Sequence, residues 1–536
     1  MNATVTGWSH GYFSGGTYTS GFYRELAPNW LDFATLVKGL LPPRSREGDP
    51  FHYLELGSGM GFSLCLLAAL YPEGTFLGVD FQPDHIAHSR ALAQDLGLEN
   101  LRFLEVDFLA LRDDPTPLGL GPGAQGRFDY VVCHGTATWV TRPVQDALLA
   151  VAAAALRNGG IFYCSYNTLP GWQPLTLFQH LATLEAERCD PSLPRVPFER
   201  AAESLEALMG TEEQPTPLAM LFPSLRSELA DLPQGELSYL CQEYANEGWL
   251  PLHVAELHRR AAAHKLSHCA TATLPELFDD LLPEPLRQRV LQEENPLIRQ
   301  TLLDLLSAKG FRRDLFSRGR VSLSQPQWEQ RVGALTVRLA EAPPLRDYRF
   351  VTSFGEARGD QEAYGRLEAA IDGTPRRLED LCVLSGLPLL ELLRMVALLL
   401  DANRVGLDRG TAGQQAQQRC AEVNGRLQLR MWQGWPYSAL TAPAIGNGVG
   451  FNIIEATLVH GQGQGLRGEA LLATTLARLQ SLGVALTDAN RQPLLEPQEQ
   501  RRKLEEMATT FARQRLPQLG GLGVLNPAEH RWSEGP

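Results

Sequence analysis

Lysine is nearly missing from this chain of 536 residues. Lys38, Lys265, Lys309 and Lys503 are the only four, so 44 of the 48 basic residues are arginine. Positive charge is short overall: 61 acidic side chains give a formal net charge of −13. Such a chain repels polyanions as a whole, which argues against nucleic acid or an anionic membrane surface as a general partner. The eight cysteines (Cys65, Cys133, Cys164, Cys189, Cys241, Cys269, Cys382 and Cys420) are scattered, with no C-x-x-C pair. That excludes a small disulfide scaffold and fits thiols buried as small apolar side chains in a reducing compartment. The first ten residues have neither a basic start nor an apolar run, so no secretory leader is expected. The longest apolar stretch, 387–400, is broken by Glu391 and Arg394 and falls short of the roughly 20 residues that span a bilayer. A cytoplasmic protein without membrane insertion is the expectation. No internal repeat is visible.

What is present is ordinary globular composition, 44 % hydrophobic and 20 % charged, with 49 Gly and 36 Pro. At about 150 residues per domain the length predicts three to four domains. Residues 51–56, 75–80, 101–106, 128–133 and 161–166 read as five short strands. Helical segments at 61–71, 83–96 and 144–156 alternate with them. Asn158-Gly159-Gly160 reads as the turn before the fifth strand. Strands alternating with helices predict a parallel sheet covered on both faces, an α/β fold. The alternation stops near Trp172. Residues 1–175 are therefore expected to form one unit and 176–340 a helical one. A C-terminal part at 345–536 follows, carrying at 362–405 the three-helix rhythm of a winged-helix-like module. The third helix of that module is almost wholly apolar. A helix that reads base edges needs polar and basic side chains, so packing or protein docking is expected of it instead.

The chemistry concentrates in Glu55-Leu56-Gly57-Ser58-Gly59-Met60-Gly61, between the first strand and the first helix of the alternating region. Glycines let backbone turn tightly and come close to a ligand. Asp80 follows at the end of the second strand, at the spacing of a carboxylate that accepts from ribose hydroxyls. Asp107 and Phe108 end the third strand, an acid and a ring suited to an adenine. All fall at carboxyl ends of parallel strands, where open α/β sheets bind ligands. A dinucleotide loop prefers G-x-G-x-x-G and presents helix-start amides to a pyrophosphate. Glu55 ahead of the first glycine suits a cationic cofactor without phosphates, such as S-adenosyl-L-methionine (AdoMet). A nucleotide and a purely structural turn are the alternatives.

The glycine loop, Asp80, Asp107-Phe108 and the Asn158-Gly159-Gly160 turn together resemble class I AdoMet-dependent methyltransferases. The strings from Phe128 to Gly135 with Trp139-Val140, and from Ser165 to Trp172, are similar to bacterial methyltransferases that carry a methyltransferase regulatory domain. The best-known members are the rickettsial outer-membrane-protein lysine methyltransferases. Tyr239 to Tyr244 with Trp249, and Phe311 to Phe316, resemble that regulatory domain. The resemblance implies a Rossmann-like sheet followed by mostly helical middle and C-terminal domains. It also implies that Glu55, Gly57, Gly59 and Gly61 hold the methionine part of AdoMet, Asp80 the ribose and Asp107 the adenine side. His134, ending the fourth strand, then faces the methyl acceptor; a general base, a hydrogen-bond donor to the cofactor and a buried turn residue are the roles open to it. A protein substrate, lysine side chains in particular, and a homodimer are implied as well; a small-molecule methyltransferase and a non-catalytic AdoMet-binding regulatory protein are the alternatives. The Asn-Pro-Pro-aromatic string of some amine methyltransferases is absent.

Methyl transfer needs alignment, desolvation and a neutral nucleophile. Tyr12, Phe13, Tyr18, Phe22, Tyr23, Trp139, Tyr166 and Trp172 are the rings available to line such a site. Tyr18, in a Gly-rich N-terminal segment, is expected at the cofactor. Tyr166, ending the fifth strand, is expected at the reacting centre. Asn167 either orients the acceptor or caps the Pro170-Gly171 turn. His264 and His268 are four apart, as zinc ligands on one helical face can be. No second pair accompanies them, and no metal site is expected.

Overall fold

Seven strands form one sheet. They are β1 (Phe51–Leu56), β2 (Gly74–Asp80), β3 (Leu101–Glu105), β4 (Phe128–Cys133), β5 (Leu156–Asn167), β6 (Ser267–Thr271) and β7 (Phe311–Ser317), in the order β3-β2-β1-β4-β5-β7-β6. Strands β1 to β5 pair in parallel, and β7 lies antiparallel between β5 and β6. This computed structural model describes residues 7–16, 20–121, 123, 125–190, 192–232, 237–340, 347–371, 373–488 and 492–525. Every residue of β4 is buried, as expected for a strand covered on both faces. The strand order reverses between β1 and β4, which opens a crevice at their carboxyl ends.

Two sequence expectations are corrected here. Asn158-Gly159-Gly160 does not precede β5 but lies within it. The register slips between the pairs Phe128–Leu156 and Tyr130–Ile161, so the glycines form an irregularity inside the strand rather than a turn. The unit expected to close at 175 does not close there either. Its sheet is completed by β6 and β7, from within the segment read as helical. The helices Gln173–Arg188, Val196–Leu208, Pro217–Leu221, Leu225–Asp231, Leu237–Tyr244 and Val254–Ala263 fill the interval between β5 and β6.

Strand β7 carries Arg312, Arg313 and Asp314, a composition that hides a buried strand. Asp314 is fully buried. It accepts from the Tyr166 hydroxyl at 2.6 Å, from Arg312 Nε at 3.0 Å and from His258 Nε2 at 2.8 Å. Burial alone would raise its carboxyl, but Arg312 and the neighbouring histidines outweigh that and hold it well below the usual range.

Towards the C-terminus, helices Leu378–Ser385 and Leu389–Asp401 cross at 111°. They lie beside a three-stranded antiparallel sheet of Thr336–Leu339, Arg376–Arg377 and Val405–Leu407. Leu392, Leu393 and Met395 to Leu400 are all buried, so the apolar face of the second helix is core. The C-terminal part also packs on the first sheet's helical cover. Phe62 stacks on Tyr437 at 4.6 Å, and the Tyr71 hydroxyl donates to Gly446 O at 2.8 Å. The fully buried Arg409 side chain pairs with Glu47 at 2.9 Å and with Glu73, and lies 4.0 Å from the Tyr71 ring centroid. All eight cysteines are free. Among the described residues no single helix is long and apolar enough to cross a membrane.

Candidate active site

A cavity of about 370 Å³ opens at the carboxyl ends of β1, β2 and β4. Its floor is the glycine loop. Gly57 N and Ser58 N both donate to Val79 O, at 2.8 and 3.0 Å, and Gly59 N donates to Asp80 Oδ2 at 2.9 Å. Gly59 and Gly61 adopt φ of +51° and +72°, a region that side chains disfavour. A Cβ on Gly61 would sit 2.6 Å from Ser89 Cβ and 2.7 Å from Phe103, whereas one on Gly59 would meet no protein atom within 4 Å. Gly61 is thus glycine because helix and sheet crowd it. Gly59 faces open space.

Glu55, Asp80, Asp107 and Phe108 line the same cavity. Asp80 is held by its neighbours: Oδ1 accepts from Gln82 N at 2.9 Å and lies 3.3 Å from His85 Nδ1, and Oδ2 accepts from Gly59 N. Asp107 Oδ1 caps the helix Phe108–Asp113 by accepting from Ala110 N at 2.8 Å. Glu55 differs. It is 6 % exposed, and its carboxylate has no hydrogen-bond or ion-pair partner among the described residues. Burial, and then the charge of Asp80, push its pKa up to about 8. Ser58 Oγ is likewise buried without a hydrogen-bond partner among the described residues. A buried acid awaiting a counter-charge and a glycine backbone open to the cavity fit the cationic methionine end of AdoMet.

His134 also lines the cavity. Its Nδ1 is shared between the Tyr163 hydroxyl at 2.9 Å and Ser165 Oγ at 3.1 Å, and the Tyr23 ring lies over it at 3.9 Å between centroids. Enclosure, and then Arg313, push its pKa down to about 3. The imidazole is therefore neutral at neutral pH and a weak base. Asn167 lines the cavity and donates from Nδ2 to Glu243 Oε1 at 2.7 Å. Tyr166 does not reach it: its hydroxyl points to Asp314 on the opposite side of β5. The expectation for Tyr166 is corrected by strand alternation, since the neighbour of a residue facing the site faces away. Tyr18 lies outside the described residues. Of the other rings, Tyr12, Tyr23, Trp139 and Trp172 line the cavity, while Phe13 and Phe22 do not.

Tyr239, Glu243 and Phe311 complete the wall, and sequence reasoning assigned none of them a role. The helix Leu237–Tyr244 brings Tyr239 and Glu243 there, and the insertion of β7 beside β5 brings Phe311. The histidine pair read from sequence is not a pair: His264 ends the helix Val254–Ala263, and His268 lies in β6. His258, His268 and Asp314 do gather within 4.8 Å, but Arg312 already neutralises Asp314.

Residues 48–196 match the family model described as "Methyltransferase domain", and residues 236–318 the one described as "Predicted methyltransferase regulatory domain". The uncharacterized protein sll1526 of Synechocystis sp. is 27 % identical over 525 residues, covering 96 % of this chain and 99 % of that protein. The uncharacterized protein RP028 of Rickettsia prowazekii is 30 % identical over 221 residues, 41 % of this chain and 81 % of that one. Among solved structures, PKMT2 from Rickettsia typhi in complex with AdoHcy shares the fold. It has a TM-score of 0.63 at 18 % identity, over 92 % of this chain and 97 % of the other. The two family models between them cover most of the residues that build the cavity, and the chain belongs to the class I AdoMet-dependent methyltransferases that carry a methyltransferase regulatory domain.

Proposed function

We propose that this methyltransferase acts on protein, transferring methyl groups to lysine side-chain amines. The observation that carries the reading is the aromatic wall of the cavity beyond the glycine loop, formed by Tyr23, Trp139, Trp172, Tyr239 and Phe311. An alkyl stem packs on such rings, and the adjacent cation gains from their faces. Bound AdoMet supplies an electrophilic methyl on a positively charged sulfur. The chain's own residues hold the acceptor in line and keep water out. The nucleophile is the neutral amine, and burial by itself disfavours the ammonium form, whose pKa is ordinarily about 10.4. Similarity in fold to PKMT2 over nearly the whole chain supports the same reading.

We assign Glu55 and the Gly57–Gly61 loop to the methionine end, Asp80 to the ribose, Asp107 and Phe108 to the adenine side, and His134 with Asn167 to the acceptor side. The C-terminal part is assigned to packing and protein docking. Val383, Leu384 and Leu390 stand exposed on its crossed helices, which supports a homodimer; light scattering at micromolar concentration checks it, and a monomeric mass rejects it. The free cysteines support a cytoplasmic location. The acceptor is tested by incubating the protein with methyl-labelled AdoMet and cell lysate, then hydrolysing the macromolecular fraction. Label in methyl-lysine is expected. Label confined to small molecules or to nucleic acid overturns the reading.

A further inference from the structure

We propose that Glu243 recognises the cationic end of the acceptor, so that the stretch matched by the regulatory-domain model is part of the substrate site; this rests on the amine-acceptor reading above. Glu243 is 4 % exposed and lies on the helix Leu237–Tyr244. Its Oε1 accepts three N–H groups: Asn167 Nδ2 at 2.7 Å, Trp139 Nε1 at 3.1 Å and Trp249 Nε1 at 3.2 Å. Three donors on one oxygen fix the plane of the carboxylate. Oε2 has no hydrogen-bond partner among the described residues, and Glu243 forms part of the cavity wall.

The other cavity acids, Glu55, Asp80 and Asp107, belong to the glycine-loop end. Glu243 stands among Trp139, Trp172 and Tyr239, the rings of the acceptor side. Arg313, the one arginine among the described residues that line the cavity, is directed elsewhere, 3.7 Å from Glu25 and over the Phe311 ring. A neutral or anionic acceptor would leave Glu243 buried without a counter-charge, which is costly. An alkylammonium answers both features, its stem against the rings and its cation on Oε2 through a charge-assisted hydrogen bond.

The probe is n-butylammonium, the free end of a lysine side chain, with n-butanol and butyrate as controls. Each is titrated into the full-length protein saturated with AdoHcy, and indole emission is followed because Trp139 and Trp249 both bond Glu243. Saturable change with butylammonium alone is expected. Glu243→Gln keeps the carbonyl acceptor for the three donors but turns an amide towards the cavity, and it is expected to weaken the response at least tenfold. Glu243→Asp should retain part of it. An equal or absent response to all three probes in the wild-type protein overturns the proposal without need of any variant. So does a butylammonium response unchanged in a folded Glu243→Gln protein. If lysate lysines are labelled with the same KM by wild type and Glu243→Gln, the lysine function stands and the role of Glu243 falls. Label on acceptors other than amines rejects the function itself.

Discussion

Glu55 couples cofactor binding to protons. Its pKa of about 8 in the ligand-free protein, against an ordinary value near 4.5, means the folded state holds the extra proton between those limits. Its contribution to stability is therefore full below about pH 4.5 and is lost as pH rises to about 8. An ammonium beside the carboxylate reverses the preference. Binding AdoMet at pH 7 should release about one proton, seen by calorimetry in buffers of different ionisation enthalpy, and Glu55→Gln should abolish the release. His134 behaves oppositely. With its pKa near 3, the unfolded chain binds the extra proton between about pH 3 and 6.5, so stability rises with pH across that window. The imidazole is already neutral at working pH, and His134→Gln should leave the shape of the pH–rate profile unchanged. A midpoint near 6.5 that vanishes in the variant would contradict this. Gly59→Ala should cost about 1–2 kcal/mol for its backbone conformation and should weaken AdoMet binding through the methyl placed in the open space. Gly61→Ala should lower the thermal midpoint more, because its Cβ meets Ser89 and Phe103. The glycine loop and strand-end acids were legible because their spacing is local. Glu243 was not, since two of its three donors, Trp139 and Asn167, lie 104 and 76 residues away along the chain. Tyr166 was misread although the signal was available: if Asn167 faces the site, period-two alternation sends Tyr166 the other way.

At the scale of elements, β1 to β5 announce themselves as apolar runs punctuated by glycine and acid, while β6 and β7 do not. S-H-C-A-T is short and half polar, and F-R-R-D-L-F-S carries three charges in a row. Burying Arg312 and Asp314 is tolerable only because they satisfy each other with Asp304, Tyr166 and His258. No local pattern reveals that arrangement before the chain has folded. Arg312→Ala would leave two buried carboxylates uncompensated. It should cost roughly 3–5 kcal/mol, measured as a fall in the denaturant midpoint, whereas a loss under 1 kcal/mol would mean that the cluster is not the anchor of β7.

Across the whole molecule, the C-terminal part is fastened to the sheet's helical cover through Arg409, Tyr437 and Gly446. The helix Phe62–Leu70 is buried at every position. A chain ending at residue 344 would therefore expose apolar surface on this helix, and it should elute as aggregate in size-exclusion chromatography. The full chain should unfold in one cooperative transition by calorimetry. A soluble fragment with full methyl transfer would show the attachment to be dispensable. The position of β7 between β5 and β6 has a further consequence during synthesis. Ribosomes add about 5–20 residues per second, so the roughly 150 residues between the end of β5 and the end of β7 take about 8–30 s to emerge. For that time the nascent sheet offers the unpaired edge of β5 to any neighbouring chain. Chaperone occupancy should accordingly peak on ribosomes that have passed Asn167 but not yet released Ser317, and decline once β7 can zip into place.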